Sequence, residues 1–395
     1  MTSIDPTGYL PADGLAGTLL GRAWLPAGLT GTVAGPSPVW LTDDGVFDVS
    51  TLAPTMAELL AGEPLERLRE AAGLPRIASV AELIANSVGP GQDPERPRLL
   101  APVDLQAIKG CGVTFACSLL ERLIEERAVG QPARAAEIRE QLGATLGSGF
   151  GDVVPGSAEA ETLRRKLMEV GMWSQYLEVG IGPYAEVFTK AQPLSAVGLG
   201  QAVGINPASE WSNPEPELVL VVDPAARIVG VTLGNDVNLR DIEGRSALLL
   251  GRAKDNNASC GIGPFIRLLD ESFTLDDVRS EEIRLEIEGT DGFRLSDKSL
   301  MSEISRDVSD LVAQTINESH QYPDGFVLFT GTLFAPTQDR GEAGMGFTHK
   351  PGDVVRISSN HIGTLEQAVS YCDRVEPWEF GLTALMRNLA SRGVL

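Results

Sequence analysis

Between residues 185 and 360 the chain repeats one pattern, short apolar runs of period two stopped by glycine, asparagine or aspartate. AEVFTK, ELVLVV, ARIVGVTLG, EIRLEIEG, GFVLFTG and DVVRISSN all read this way, as strands joined by tight turns. A longer period appears upstream. SLLERLIEERAVG (118–130), PARAAEIREQLGATLG and AEAETLRRKLMEVG place apolar residues three and four apart, as amphipathic helices do, the first opened by Ser118. PWEFGLTALMRNLASRG predicts a closing helix. Helices and strands are segregated along the chain, so the pattern predicts antiparallel or mixed sheets in a β-rich α+β fold.

The first hundred residues form a shorter, loop-rich stretch. VWLTDDGVFDVS predicts a hairpin around Asp43-Asp44-Gly45, and TMAELLAG and LERLREAAG predict short helices ending at glycine. NSVGPGQDPERP (86–97) is dense in turn formers and marks a boundary. LLAPVDLQAIKGCGVTFA then reads as strand, turn, strand. The expected organisation is a small α/β domain over 1–98 and a larger β-rich domain over 99–395, with a helical insertion at about 118–170.

Composition narrows the function classes. With 395 residues and 43% hydrophobic content the chain can bury a full core. A net charge of −22 argues against nucleic acid or an anionic membrane as partner, while leaving room for a small anion in a local basic pocket. MTSIDPTGYLPADG lacks the basic and apolar regions of a signal peptide, and no apolar run approaches the about 18 residues of a membrane span. A cytoplasmic location is therefore expected, with Cys111, Cys117, Cys260 and Cys372 reduced. GLGQAVG (198–204) superficially matches a dinucleotide loop, but no strand precedes it, so it is read as a plain loop.

One stretch demands chemistry. In NPEPELVLVV, Glu215 and Glu217 stand two apart at the mouth of an apolar strand and so project to one face, about 7 Å apart. Like charges that close are costly unless a cation lies between them, and a hard divalent ion taking oxygen ligands meets that need. The alternative is a solvated edge paired with lysines. RIVGVTLG follows after a five-residue connection, Asp223 to Arg227, and reads as the return strand. Pairing Val222 with Ile228 sets Glu217 opposite Leu233 and Glu215 opposite Asn235, so Asp236 reaches the glutamates only if the chain leaves the strand near Gly234. Arg240 lies four residues after Asp236, one helical turn on, and Lys254 fourteen further. Both suit an anionic ligand facing the carboxylates, and desolvated Lys254 suits proton transfer.

These segments resemble the fumarylacetoacetate hydrolase superfamily. The matching motifs are NPEPELVLV, GVTLGNDVNLRD, AKDNNASCGIGPF, LFTGTLFAP and GMGFTHKPGDVVRISSNHIGTLEQAV, in family order from about 110 to 370. The resemblance implies a distorted β-roll catalytic domain with a smaller N-terminal domain. It also implies Mg²⁺, or alternatively Mn²⁺, on Glu215, Glu217 and Asp236, and 2-oxo acids as substrates. Hydrolases of the family carry a His-x-x-Glu dyad on an early helix; here Ser118 replaces the histidine and Glu121 keeps the glutamate. Serine is no base near neutral pH, so hydrolysis by that dyad is in doubt. GVTFACSLLERLIEERA, MWSQYLEVGIGP and HQYPDGF are similar to a narrower group, the 2-keto-3-deoxy-D-pentonate dehydratases, which convert a 2-oxo sugar acid to 2-oxoglutarate semialdehyde. That reading assigns proton transfer to Lys254 with Glu121 or Glu186, and substrate binding to Arg240, Thr332 and Ser118. It also implies a homodimer or homotetramer. A hydrolase or decarboxylase of an acylpyruvate-like acid, and a non-catalytic oxo-acid binder, are the alternatives. His320, His349 and His361 lie far downstream and read as structural.

Overall fold

The computed structural model describes residues 5–89, 91–115, 119, 123–124, 126–128, 134, 138, 153–169, 171, 173–333, 338–341 and 346–395. Among them the strands in chain order are Leu19–Leu25 (β1), Gly35–Thr42 (β2), Gly45–Asp48 (β3), Arg76–Ala78 (β4), Arg98–Leu100 (β5) and Ala107–Gly112 (β6). Next come Glu186–Ala191 (β7), Val203–Ile205 (β8), Ser212–Asn213 (β9), Pro216–Val222 (β10), Ile228–Asp236 (β11) and Asn238–Leu239 (β12). Cys260–Leu268 (β13), Glu282–Glu288 (β14), Arg294–Leu300 (β15), Phe326–Phe329 (β16), Val354–Ser359 (β17) and Gly363–Tyr371 (β18) complete the set. The terminal helix forms over Leu382–Arg392, as its periodicity predicts. The helix expected at 118–130 lies largely outside the described residues.

The main sheet runs β4-β3-β2-β1-β13-β11-β10-β16-β6-β7, and β5 pairs with β1 over Arg22, Ala23 and Trp24. A second sheet runs β15-β14-β17-β18-β8. Most pairings are antiparallel, but β16–β6 and β18–β8 are parallel, which makes this a β-rich α+β fold of mixed sheets. The predicted hairpin over Asp43-Asp44 is the β2–β3 turn. The strands of the first hundred residues extend the main sheet, because β1 pairs with β13 through Leu19↔Arg267 and Leu20↔Ile266.

β10 sits in the middle and is buried along its whole length. Leu218, Leu220 and Val222 join a core with Leu233, Phe265 and the inward residues Leu285 and Ile357 of the second sheet. Val219 and Val221 enter a separate core with Ile262, Ile266 and Phe329. Covered on both faces, the strand is apolar at consecutive positions and does not alternate. Its hairpin to β11 is fastened by Asp223, whose carboxylate accepts the N–H groups of Ala225 and Arg227, both at 2.9 Å. This apolar clamp fixes what emerges at its far end.

Candidate metal centre

Glu215 and Glu217 emerge there, and the register that brings Asp236 to them differs from the expected one. Val222 pairs with Ile228, but Val221 pairs with Gly230, so Val229 is an extra residue in β11. This bulge shifts every later pair by one, to Glu217↔Gly234 and Pro216↔Asn235. Glu215 therefore faces Asp236, whose N–H donates to the Glu215 carbonyl at 3.0 Å. Directly opposite residues share a face, so all three carboxylates converge without the chain leaving the strand, and β11 continues through Asp236. Gly234 is needed for a different reason from the one expected: a Cβ there would lie 2.2 Å from the Phe329 ring.

Carboxylate oxygens of Glu215, Glu217 and Asp236 lie within 4.8 Å of one another, and all three residues are buried. Two lysines approach them. Lys254, at the end of the helix Leu250–Lys254, donates to Glu215 Oε2 at 2.5 Å and to Asp236 Oδ2 at 3.0 Å. Lys190 of β7, fully buried, reaches Asp236 Oδ1 at 2.8 Å and gives its other protons to the carbonyls of Lys254 and Val237. Glu215 also accepts from Asn238 Nδ2 at 3.0 Å, and Glu217 from the Gly331 N–H at 2.7 Å. Gly331 holds φ +90, the left-handed region that glycine tolerates, in the turn after β16.

The electrostatics are uneven. Burial pushes the Glu217 carboxyl well above the usual carboxylate range, and the charges of Asp236 and Glu215 push it further. Burial also acts on Asp236, but Lys190 and Lys254 outweigh it and hold that carboxyl below its ordinary value. Among the described residues, three buried carboxylates stand against two lysines. That acid-rich, all-oxygen donor set, its oxygens within 4.8 Å of one another, fits a hard divalent cation such as Mg²⁺.

The other expected site residues divide. Glu186, Phe188 and Lys190 occupy one face of β7, with Glu186 and Phe188 lying over the glycines Gly112 and Gly110 of β6. Phe188 places its ring 5.8 Å from the Lys254 ammonium. Thr332 is buried directly after Gly331. Arg240 does not follow Asp236 around a helical turn, because residues up to Leu239 are extended and the helix begins at Arg240 itself. Its guanidinium stacks on Trp211, 4.3 Å from the ring centroid. Ser118 and Glu121 lie outside the described residues. His349 Nδ1 lies 3.2 Å from Asp353, and His361 Nδ1 lies 2.8 Å from Glu281. Lys190 was missed by sequence reasoning. Its signal is the spacing Glu186, Phe188, Lys190, which puts a lysine on the inward face of a strand lying over glycines.

Residues 180–370 match the family described as fumarylacetoacetate (FAA) hydrolase C-terminal. A 2-dehydro-3-deoxy-D-arabinonate dehydratase of Saccharolobus solfataricus is 35% identical over 182 residues, covering 46% of this chain and 57% of that protein. A Haloferax volcanii protein named "Probable 2-keto-3-deoxyxylonate dehydratase" is 35% identical over 202 residues, covering 51% of this chain and 66% of that protein. The matches thus span between a half and two thirds of these relatives' lengths. A solved structure of 2-keto-3-deoxy-D-arabinonate dehydratase complexed with magnesium and 2,5-dioxopentanoate superposes with a TM-score of 0.60 at 21% identity. It covers 89% of this chain and 99% of that one, a likeness of fold. Over residues 180–370, just under half of its length, this chain is thus similar to the fumarylacetoacetate hydrolase family.

Proposed function

We propose that this chain dehydrates 2-keto-3-deoxy-D-xylonate, the same compound as 2-keto-3-deoxy-D-arabinonate, to 2-oxoglutarate semialdehyde in a magnesium-dependent reaction. The observation that carries the reading is the buried trio Glu215, Glu217 and Asp236, whose carboxylate oxygens converge within 4.8 Å of one another. The names of the two relatives support it, and so does the solved neighbour, whose ligand 2,5-dioxopentanoate is that semialdehyde under another name. Magnesium held by the three carboxylates would draw electrons from the 2-oxo acid head and acidify the C3 protons.

The chain's own groups supply the rest. Lys254, buried between two of the carboxylates, is positioned to pass a proton at C3 or at the C4 oxygen, with Glu186 or Glu121 as its counterpart. Arg240 and Thr332 are assigned to the substrate carboxylate, and Ser118 to a polar contact. The C3 proton and the C4 hydroxyl leave as water; two hydrogens then pass from the C5 carbinol to C3 and C4, giving the aldehyde. Neither step needs a hydrolytic water, which suits a chain with serine where the hydrolases carry their histidine. We place the enzyme in the cytoplasm as a homodimer or homotetramer.

Incubation with synthetic 2-keto-3-deoxy-D-pentonate and Mg²⁺, coupled to an NAD(P)⁺-linked aldehyde dehydrogenase, tests the reading. Semialdehyde should accumulate. Pyruvate release from an acylpyruvate, without semialdehyde, would instead identify a hydrolase. Lys254→Met should keep magnesium binding and lose turnover by about a hundredfold or more, and a fully active variant would remove lysine from the chemistry.

A further inference from the structure

A cavity of about 640 Å³ opens where the first hundred residues meet the rest of the chain. None of the three carboxylates lines it. Its inner wall is one face of the β1–β5 pair, where Arg22 and Trp24 stand opposite Leu100 and Arg98. The outer wall is the segment 374–380, which brings Trp378 and Phe380. Asn257 hangs this segment in place by donating to the carbonyls of Cys372 and Glu376, both at 3.1 Å.

Two guanidiniums here are poorly compensated in a chain that is otherwise strongly acidic. Arg22 is 6% exposed, yet its nearest carboxylate, Asp104, is 4.0 Å away. Asp104 is already engaged, accepting the N–H groups of Met56, Ala57 and Leu105. Arg98 is half-buried and has no carboxylate partner among the described residues; it lies 5.7 Å from the Trp24 ring centroid. Burial lowers the pKa of both side chains, the sign of cations stripped of water. Glu376 and Glu379 also line the cavity, but both stand exposed at its rim. Aromatic rings complete the wall: Phe380 meets Trp24 edge-on at 5.6 Å, and Trp378 is 44% exposed.

We propose that this cavity binds a small anion carrying a planar apolar body, its anionic group on Arg22 and Arg98 and its ring against Trp24 and Trp378. The volume suits one such ligand. Arginine forks take carboxylate and phosphate alike, so the anionic group is either of these. The ligand gives the first hundred residues a role beyond extending the sheet, since they contribute both guanidiniums.

The test is direct binding with magnesium and substrate left out, so that it stands apart from the dehydration reading. AMP and 4-hydroxybenzoate serve as phosphate and carboxylate probes, with inorganic phosphate and adenosine as controls, read by calorimetry and by quenching of tryptophan fluorescence. At least one planar anion should bind saturably at one site per chain, and both controls at least tenfold more weakly. Arg98→Ala and Trp378→Ala should each weaken that binding by about tenfold or more. Trp378 stands at the rim, so its removal leaves the core packing intact if Arg98→Ala folds poorly. Failure of both planar anions to bind at millimolar concentration, binding undiminished in Trp378→Ala, or phosphate binding as tightly as AMP would overturn the proposal.

Discussion

Two buried ionic clusters lie in this molecule, and they are built on opposite principles. Around Asp353 the charges close. Arg340 grips it with two bonds of 2.6 and 2.8 Å, also reaches Asp291 at 2.9 Å, and lies against the Phe293 ring. Lys350 adds a bond to Asp291, giving two cations for two carboxylates, while burial lowers the His349 pKa. Burial alone would raise the Asp353 carboxyl, but the bonds from His349 and Arg340 win and bring it down to about 2. Around Glu217, three carboxylates face two lysines among the described residues, and the same burial drives the carboxyl upward. A closed cluster holds loops together. An acid-rich one suits an ion from outside, and that difference separates a brace from a candidate metal centre.

The comparison can be broken in order of effect. Glu217→Gln should cut turnover on the order of a thousandfold while leaving the apo protein at least as stable as the parent, because it removes a buried carboxyl whose ionisation burial and its acidic neighbours oppose. Activity that survives the change would end the metal reading. Asp353→Asn should do the reverse. Breaking a buried pair costs about 3–5 kcal/mol in urea unfolding, with magnesium affinity retained, and a stable variant would show that the brace carries no load. Saturating Mg²⁺ should add about 2.7 kcal/mol at a hundredfold excess over its Kd, in the parent and in Asp353→Asn, but not in Glu217→Gln. The smallest effect concerns pH. Asp353 binds its proton more weakly folded than unfolded, so its stability contribution is complete above the unfolded value near 4 and is lost as pH falls toward 2. That loss is on the order of 2 kcal/mol and should be missing from Asp353→Asn in acid unfolding curves.

The sequence made some of this plain and hid the rest for definable reasons. Glu215 and Glu217 were legible because a two-residue spacing on a strand has one geometric meaning. The central strands were legible because burial on both faces writes itself as continuous apolar runs. The register was not, since Val229 looks like any strand valine and a bulge leaves no mark in composition. The helical turn assigned between Asp236 and Arg240 failed because tertiary pairing of β12 with β9 keeps Asn238 and Leu239 extended, against local spacing. Lys190 was hidden because its partner Asp236 stands far along the chain, on a strand separated from β7 by β6, β16 and β10. The pairing of β1 with β13 joins residues near 20 to residues near 266, a distance over which periodicity says nothing.

The extra valine in β11 has an implication for anyone editing this protein. Adding one residue between Asp223 and Gly230, with the bulge kept, would leave β10 packed as before, yet turn Asp236 to the reverse side of the sheet, with Asn235 rotated into its place. The chain thus counts residues in a surface turn to set the valence of a site at the sheet's other end. Grafted loops in this hairpin should be chosen by odd or even length before any other property.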